Sequence, residues 1–214
     1  MRSLWQRFVT ALTPGVQVML IVLTGVYVAS VIGRMTQTID LAGWLAVNAA
    51  VWHGQVWRLV TYALLPAGIM DFLMNAFALV LIGSMLERHW SRGELWQYSA
   101  IAAAGAGLTQ VLLSGAPMTG AAPMVFGLLI AWAFICGHEV LAFPLFGQMT
   151  VRQMVLLMAA VSFIVMFLTA GWVRAAVMVS GGVTGWLYLW LRCKWLLARP
   201  GCKVESGRIN RLEF

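Results

Sequence analysis

Few side chains in this sequence can do chemistry, and their scarcity narrows the possibilities. There are three histidines, His53, His89 and His138, and three cysteines, Cys136, Cys193 and Cys202. None falls in an H-E-x-x-H or C-x-x-C spacing and no carboxylates cluster, so neither a metal site nor a cofactor is expected. Asp71 is the only charged residue between positions 59 and 86, and Asn75 follows it by four, one turn along the same helix face. An ionisable group inside an apolar run is costly and marks function by default. Asp71 suits either a wetted structural carboxylate near the mouth of a span or a group that grips a bound segment. Ser114, Thr119 and Ser180 are candidate hydroxyls, although Ser and Thr in such segments commonly serve packing and backbone hydrogen bonds. Gly181 and Gly185 stand four apart, with Met178 three positions earlier on the same face, a pattern that lets two helices approach closely.

The elements that carry these residues follow from composition. The 214 residues are 62% hydrophobic and 10% charged, where a soluble domain carries roughly a quarter charged residues. That balance excludes disorder, a disulfide scaffold and an ordinary soluble enzyme. The +7 formal charge then reads as cytoplasmic loops and contact with anionic lipid rather than nucleic-acid binding. Stretches free of charge predict six membrane helices: residues 16–32, 69–86, a hairpin within 95–138 broken at Ser114-Gly115-Ala116-Pro117, then 153–173 and 175–191. If both termini are cytoplasmic, only Arg34, Arg58 and Arg174 of the fourteen basic residues lie outside, so the positive-inside rule favours that orientation. Residues 1–15 are expected to be a cytoplasmic interfacial segment, 16–197 the membrane domain and 198–214 a basic cytoplasmic tail. The Trp-rich connection between the first two spans is expected to lie in the outer headgroup layer. A basic inner face and no organelle signal fit a bacterial inner membrane.

Taken in order, these residues resemble the rhomboid family of intramembrane serine proteases. The resemblance covers roughly residues 50–192. Trp57-Arg58-Leu59-Val60-Thr61 is similar to the family's W-R-x-x-T segment in the outer loop. Asp71 to Asn75 falls where rhomboids have H-x-x-x-N, and Gly83 to Glu87 resembles the glutamate end of the second helix. Thr119-Gly120-Ala121-Ala122-Pro123, with Phe126 beyond it, falls on the G-x-S-G segment and its following aromatic residue. Met178 to Gly185 resembles H-x-x-G-x-x-x-G. The resemblance implies an all-α bundle of six transmembrane helices with an interfacial loop between the first two.

It also implies a serine and histidine dyad, in which the serine attacks a peptide carbonyl, the histidine takes its proton and nearby donors stabilise the oxyanion. Here those positions are Ala122 and Met178, which can do neither step. At the position of an oxyanion donor stands Asp71, which when ionised only accepts hydrogen bonds, and Pro123 lacks an N–H. His89 and His138 fall on the inner side, and only His53 shares a side with Ala122. The resemblance therefore implies a catalytically inactive member, a pseudoprotease that binds transmembrane segments of client proteins without cutting them. Phe126, Trp57 and Arg58 are its candidate binding residues and Gly120, Gly181 and Gly185 its packing residues. Arg58 also suits anchoring the outer loop to headgroups or to a backbone carbonyl, and Met178 and Phe126 suit packing. The alternative is an intramembrane serine-type endopeptidase with a non-standard active site; a weaker one is a membrane-thinning or channel-like role. Partners are the bilayer and client helices, and the oligomeric state is left open.

Overall fold

The computed structural model describes residues 13–36, 40–138, 140–143 and 147–197. Most of the expected N-terminal interfacial segment and the whole basic tail lie outside the described residues. The first helix, α1 (Pro14–Thr36), turns Val16, Met19, Leu23 and Ser30 inward. Its N-terminus is closed by a distant side chain. Glu87 accepts hydrogen bonds from the Thr13 hydroxyl (2.5 Å), Gly15 N (2.7 Å) and Val16 N (2.9 Å), satisfying donors that a helix start leaves open. That contact fixes the start of α1 against the end of the next long helix; this end of the bundle is called inner and the opposite end outer, as labels only.

Between them the chain makes short pieces: α2 (Leu41–Leu45), a 3₁₀ turn (Ala49–His53), α3 (Arg58–Thr61) and a second 3₁₀ turn (Tyr62–Leu64). Asp40 and Asn48 cap the first two, accepting from Gly43 N and Ala50 N at 3.0 Å each. Apolar burial and polar contacts together hold this segment in place: Val47, Val51, Tyr62 and Ala63 pack in a buried cluster with Ala103, Ala106 and Met118. Arg58 is buried and donates to the Ala46 carbonyl (3.0 Å), Thr61 donates to the Leu45 carbonyl (3.3 Å), and Val47 and Met118 exchange backbone hydrogen bonds. Tyr62 donates to the Ala103 carbonyl at 3.0 Å, and burial pushes its phenol above its ordinary value, so it stays protonated. Trp44, Trp52 and Trp57 remain exposed.

The next long helix runs from α4 (Ile69–Ala78) through a π-helical turn (Leu79–Gly83) into α5 (Ser84–Glu87). A ladder shift of this kind rotates one half of a helix relative to the other. Asp71 and the buried Asn75 lie before this turn and Glu87, which reaches α1, lies after it. α6 (Arg92–Leu113) starts on a reciprocal capping box between Ser91 and Glu94. α7 (Ala122–Ile135) is apolar around most of its surface and buried accordingly, as expected of a helix sheathed by others. A two-stranded antiparallel hairpin, β1 (Val140–Phe143) with β2 (Gly147–Thr150), leads into α8 (Val151–Leu197).

A straight helix of 47 residues would be about 70 Å long. Instead, Arg152 N bonds the Gly137 carbonyl at one end of α8 and Arg192 pairs with Glu94 at the other, and both contacts lie at the inner end of the bundle. The reversal is at Gly171, whose φ of 81° and ψ of 173° break the helix. α6, α7 and the second half of α8 meet at small residues. A Cβ on Gly127 would sit 2.8 Å from the Ala102 Cβ and 3.1 Å from the Gly181 carbonyl, and one on Gly181 would collide with the Pro123 carbonyl. Tyr98 donates to the Gly127 carbonyl (2.7 Å) and its hydroxyl lies against Gly185.

Three helices among the described residues are long and apolar enough to cross a membrane: Pro14–Thr36, Ile69–Glu87 and Val151–Trp195. The molecule is an all-helical membrane protein apart from the small hairpin, which the apolar pattern did not reveal. Six separate spans were expected. The difference has three sources. α6 is 22 residues long but carries Arg92, Glu94, Gln97 and Gln110 and is not among the helices apolar enough to cross; at 14 residues α7 covers only about 21 Å, short of a roughly 30 Å hydrocarbon core; and the expected fifth and sixth spans run on as one helix bent at Gly171.

Candidate functional site

At the outer end of the bundle, opposite the Glu87 and Glu94 contacts, lies a cavity of about 210 Å³. It is lined from four directions: Ala67 and Asp71 before and on α4, Met118 to Gly120 in the link after α6, Ala122 and Pro123 opening α7, and Met166 and Arg174 flanking the bend in α8. At about 30 Å³ per water, it has room for roughly seven waters.

Asp71 dominates one wall. Its Oδ1 accepts from Asn75 Nδ2 at 2.7 Å and its Oδ2 from Ala67 N at 2.9 Å. Asn75 is only 5% exposed, and one of its two amide N–H groups is given to this contact. The carboxylate also lies against Gly120, where a Cβ would stand 3.3 Å from Oδ2; with φ of 121°, that position is strained for any other residue. Arg174 supplies the opposite charge, and no ion pair joins it to Asp71. Its place in the cavity was not foreseen, because in the sequence it is a single charge between two apolar runs and counts only towards orientation.

The expected residues are partly brought together. Ala122 presents a methyl group to the cavity, and Gly120, Asp71 and Pro123 line it beside Ala122. Met178 does not line it; the side chain is 6% exposed and packed in the main apolar core. Phe126 is likewise buried, its ring against Gly182, so it packs α7 on α8 and offers no open binding face. Arg58 is spent on the Ala46 carbonyl and on Gln55, and Trp57 stands half exposed on the outer loop away from the cavity. Gly181 and Gly185 hold helices together.

Among the described residues the other candidate hydroxyls and histidines are not brought together at the cavity. Ser180 donates to the Val177 carbonyl one turn back at 2.7 Å, and Ser114 is exposed where α6 ends. His53 is exposed on the outer 3₁₀ turn, whereas His89, near the Met85 carbonyl at 3.0 Å, and His138 sit at the inner end. Among the described residues no group of three His, Cys, Asp or Glu side chains could hold a metal ion.

A family model described as "Eukaryotic integral membrane protein (DUF1751)" matches residues 17–191, most of the chain. The chain belongs to this family. As a DUF1751 member it also has partial similarity to rhomboids. It is 29% identical over 100 residues to the rhomboid protease GlpG of Photorhabdus laumondii, a match covering 47% of this chain and 35% of that protein. It is 32% identical over 99 residues to RHOMBOID-like protein 1 of Arabidopsis thaliana, covering 46% of this chain and 25% of that one. The matched region thus spans about a third and a quarter of these relatives' lengths. The family is described as eukaryotic, which corrects the expected bacterial inner membrane. Basic residues mark a cytoplasmic face in either kind of cell, so their distribution could not decide between them.

Proposed function

We propose that this protein is a rhomboid-like membrane protein that binds transmembrane segments of client proteins without cleaving them. The observation that carries the proposal is the outer cavity, which retains room for a guest but offers a methyl group at Ala122 and a carboxylate at Asp71. Hydrolysis there would lack a nucleophile, and Asp71 would oppose an oxyanion while occupying one of the two Asn75 N–H donors. The first half of α8 gives a client somewhere to lie. Leu157, Val161, Ile164, Val165 and Leu168 form one stripe, running up to the bend beside the cavity, of an apolar surface that is exposed on most sides of this half of the helix, with Leu156, Phe163 and Phe167 exposed beside it.

On this reading the apolar segments make six crossings with both termini cytoplasmic. Support comes from the return of α8 to the inner end and from the placing of Arg34, Arg58 and Arg174 towards the other side. α7 would cross as a short helix shielded by protein, where lipid contact sets no minimum length.

The test is a photoreactive residue at Met166, on the cavity wall. Crosslinks in cells to intact single-span membrane proteins, lost when the exposed stripe is made polar by Val161→Ser and Ile164→Ser, are expected. Crosslinks only to lipid, or to proteolytic fragments, would overturn the reading.

A further inference from the structure

The outer cavity carries a second, independent consequence, because it holds one positive and one negative side chain that do not neutralise each other. Arg174 lines it, yet among the described residues its guanidinium has neither a hydrogen bond nor an ion pair. The side chain is half-buried, so its guanidinium is free to take an anionic partner within the cavity. Thr119, on the same wall, has a hydroxyl with no hydrogen bond among the described residues. Asp71, facing the same space, has one donor on each oxygen and so retains lone pairs for more. A guest that satisfied all three would be a zwitterion, anionic at one end and an N–H donor at the other.

The position of the cavity narrows the guest further. Trp172 follows the bend and is exposed, as are Trp44 and Trp57 on the outer segment, and exposed tryptophans mark the headgroup layer. Below the cavity, from Met166 inward, runs the exposed apolar stripe of α8. A polar chamber at headgroup level above an apolar track matches the anatomy of a phospholipid.

We propose that this cavity is a headgroup site for an aminophospholipid, with the phosphate on Arg174 and Thr119, the ammonium on Asp71 and an acyl chain along the first half of α8. The ammonium distinguishes the lipid class. A primary ammonium donates hydrogen bonds to Asp71, a choline headgroup cannot, and a glycerol headgroup brings no positive charge to the carboxylate. The site does not depend on client binding, and an occupied cavity would compete with a client for the same space.

Native mass spectrometry of the full chain in detergent, titrated with phosphatidylethanolamine, phosphatidylcholine or phosphatidylglycerol, reads the site directly. Losing a charge-assisted hydrogen bond weakens binding by roughly tenfold, so phosphatidylethanolamine is expected to bind about that much tighter than the other two. Asp71→Asn should remove most of the difference, whereas Arg174→Gln should weaken all three lipids together and Arg174→Lys should retain part of that binding. Equal affinity for the three lipids, an unchanged preference in Asp71→Asn, or unchanged binding of all three in Arg174→Gln would overturn the proposal. Displacement by free phosphoethanolamine at the same concentration as the lipid would also overturn it, because the guest would then be a soluble zwitterion. Failure of client crosslinking leaves these affinities unchanged, so the two readings fail separately.

Discussion

Replacing Ala122 by Ser and Met178 by His would restore a nucleophile and a base in name, and the structure sets how little this should achieve. The helices are close enough for a dyad. A Cβ on Gly181 would collide with the Pro123 carbonyl, so α7 and α8 touch through their backbones one residue after Ala122 and three after Met178. The obstacle is the oxyanion. Asn75 Nδ2 is held 2.7 Å from Asp71 Oδ1, so one of its two N–H groups is spent and the amide is oriented by the carboxylate, and Pro123 has no N–H to add. Losing one oxyanion donor costs about 3 to 4 kcal/mol, or roughly a hundred- to thousand-fold in rate. The Asp71 charge adds repulsion to that loss. The double variant is therefore expected to cleave at least about a hundredfold more slowly than the triple variant that also carries Asp71→His. Adding Pro123→Gly should raise the rate again by restoring an N–H, despite a less pre-organised start to α7. The assay is cleavage of a helix-destabilised transmembrane substrate in nanodiscs, with thermal unfolding to check that each variant folds. If the double variant alone matches an active rhomboid, Asp71 and Pro123 are not obstacles and the reasoning fails.

Further expectations concern packing and topology. Glu87→Ala removes the acceptor for Thr13, Gly15 and Val16 and should cost about 2 kcal/mol, seen as a lower unfolding temperature in detergent, with Glu87→Gln milder; no shift would mean that water caps α1 equally well. Gly181→Ala should cost about 1 to 3 kcal/mol because the new Cβ meets backbone, whereas Gly25→Ala, with nothing within 4 Å, should be neutral or stabilising. Equal effects at the two glycines would contradict the helix contact described above. Alkaline phosphatase fused after Val173 or Leu41 should be active and after Arg199 silent; the reverse would invert the orientation.

Breaks in the apolar pattern were legible because they depend on local chemistry. Ser114-Gly115-Ala116-Pro117 ends α6 at Leu113, and the bend placed near positions 171–174 falls on Gly171. The lengths of crossing helices were less legible, since α7 is as apolar as a lipid-facing segment yet is wrapped by protein. At the site, the pairing of Asp71 with Asn75 follows from a four-residue spacing on a helix, so its geometry lay within reach of the sequence. The placing of Arg174 did not, because it depends on the return of α8 across a cavity assembled from four separate segments. Phe126 illustrates the converse ambiguity, since the sequence allowed it either binding or packing. An aromatic residue beside a candidate site can equally be the filler opposite a glycine, and only Gly182 decides between these.

The central claim, binding without cleavage, is tested most directly by incubating the purified protein in bilayers with a panel of helix-destabilised transmembrane substrates while probing every serine with a fluorophosphonate. The account predicts intact substrates that co-purify with the protein and no labelled serine. New substrate termini, together with stoichiometric labelling of Ser114 or Ser180 that disappears on Ser→Ala, would contradict it.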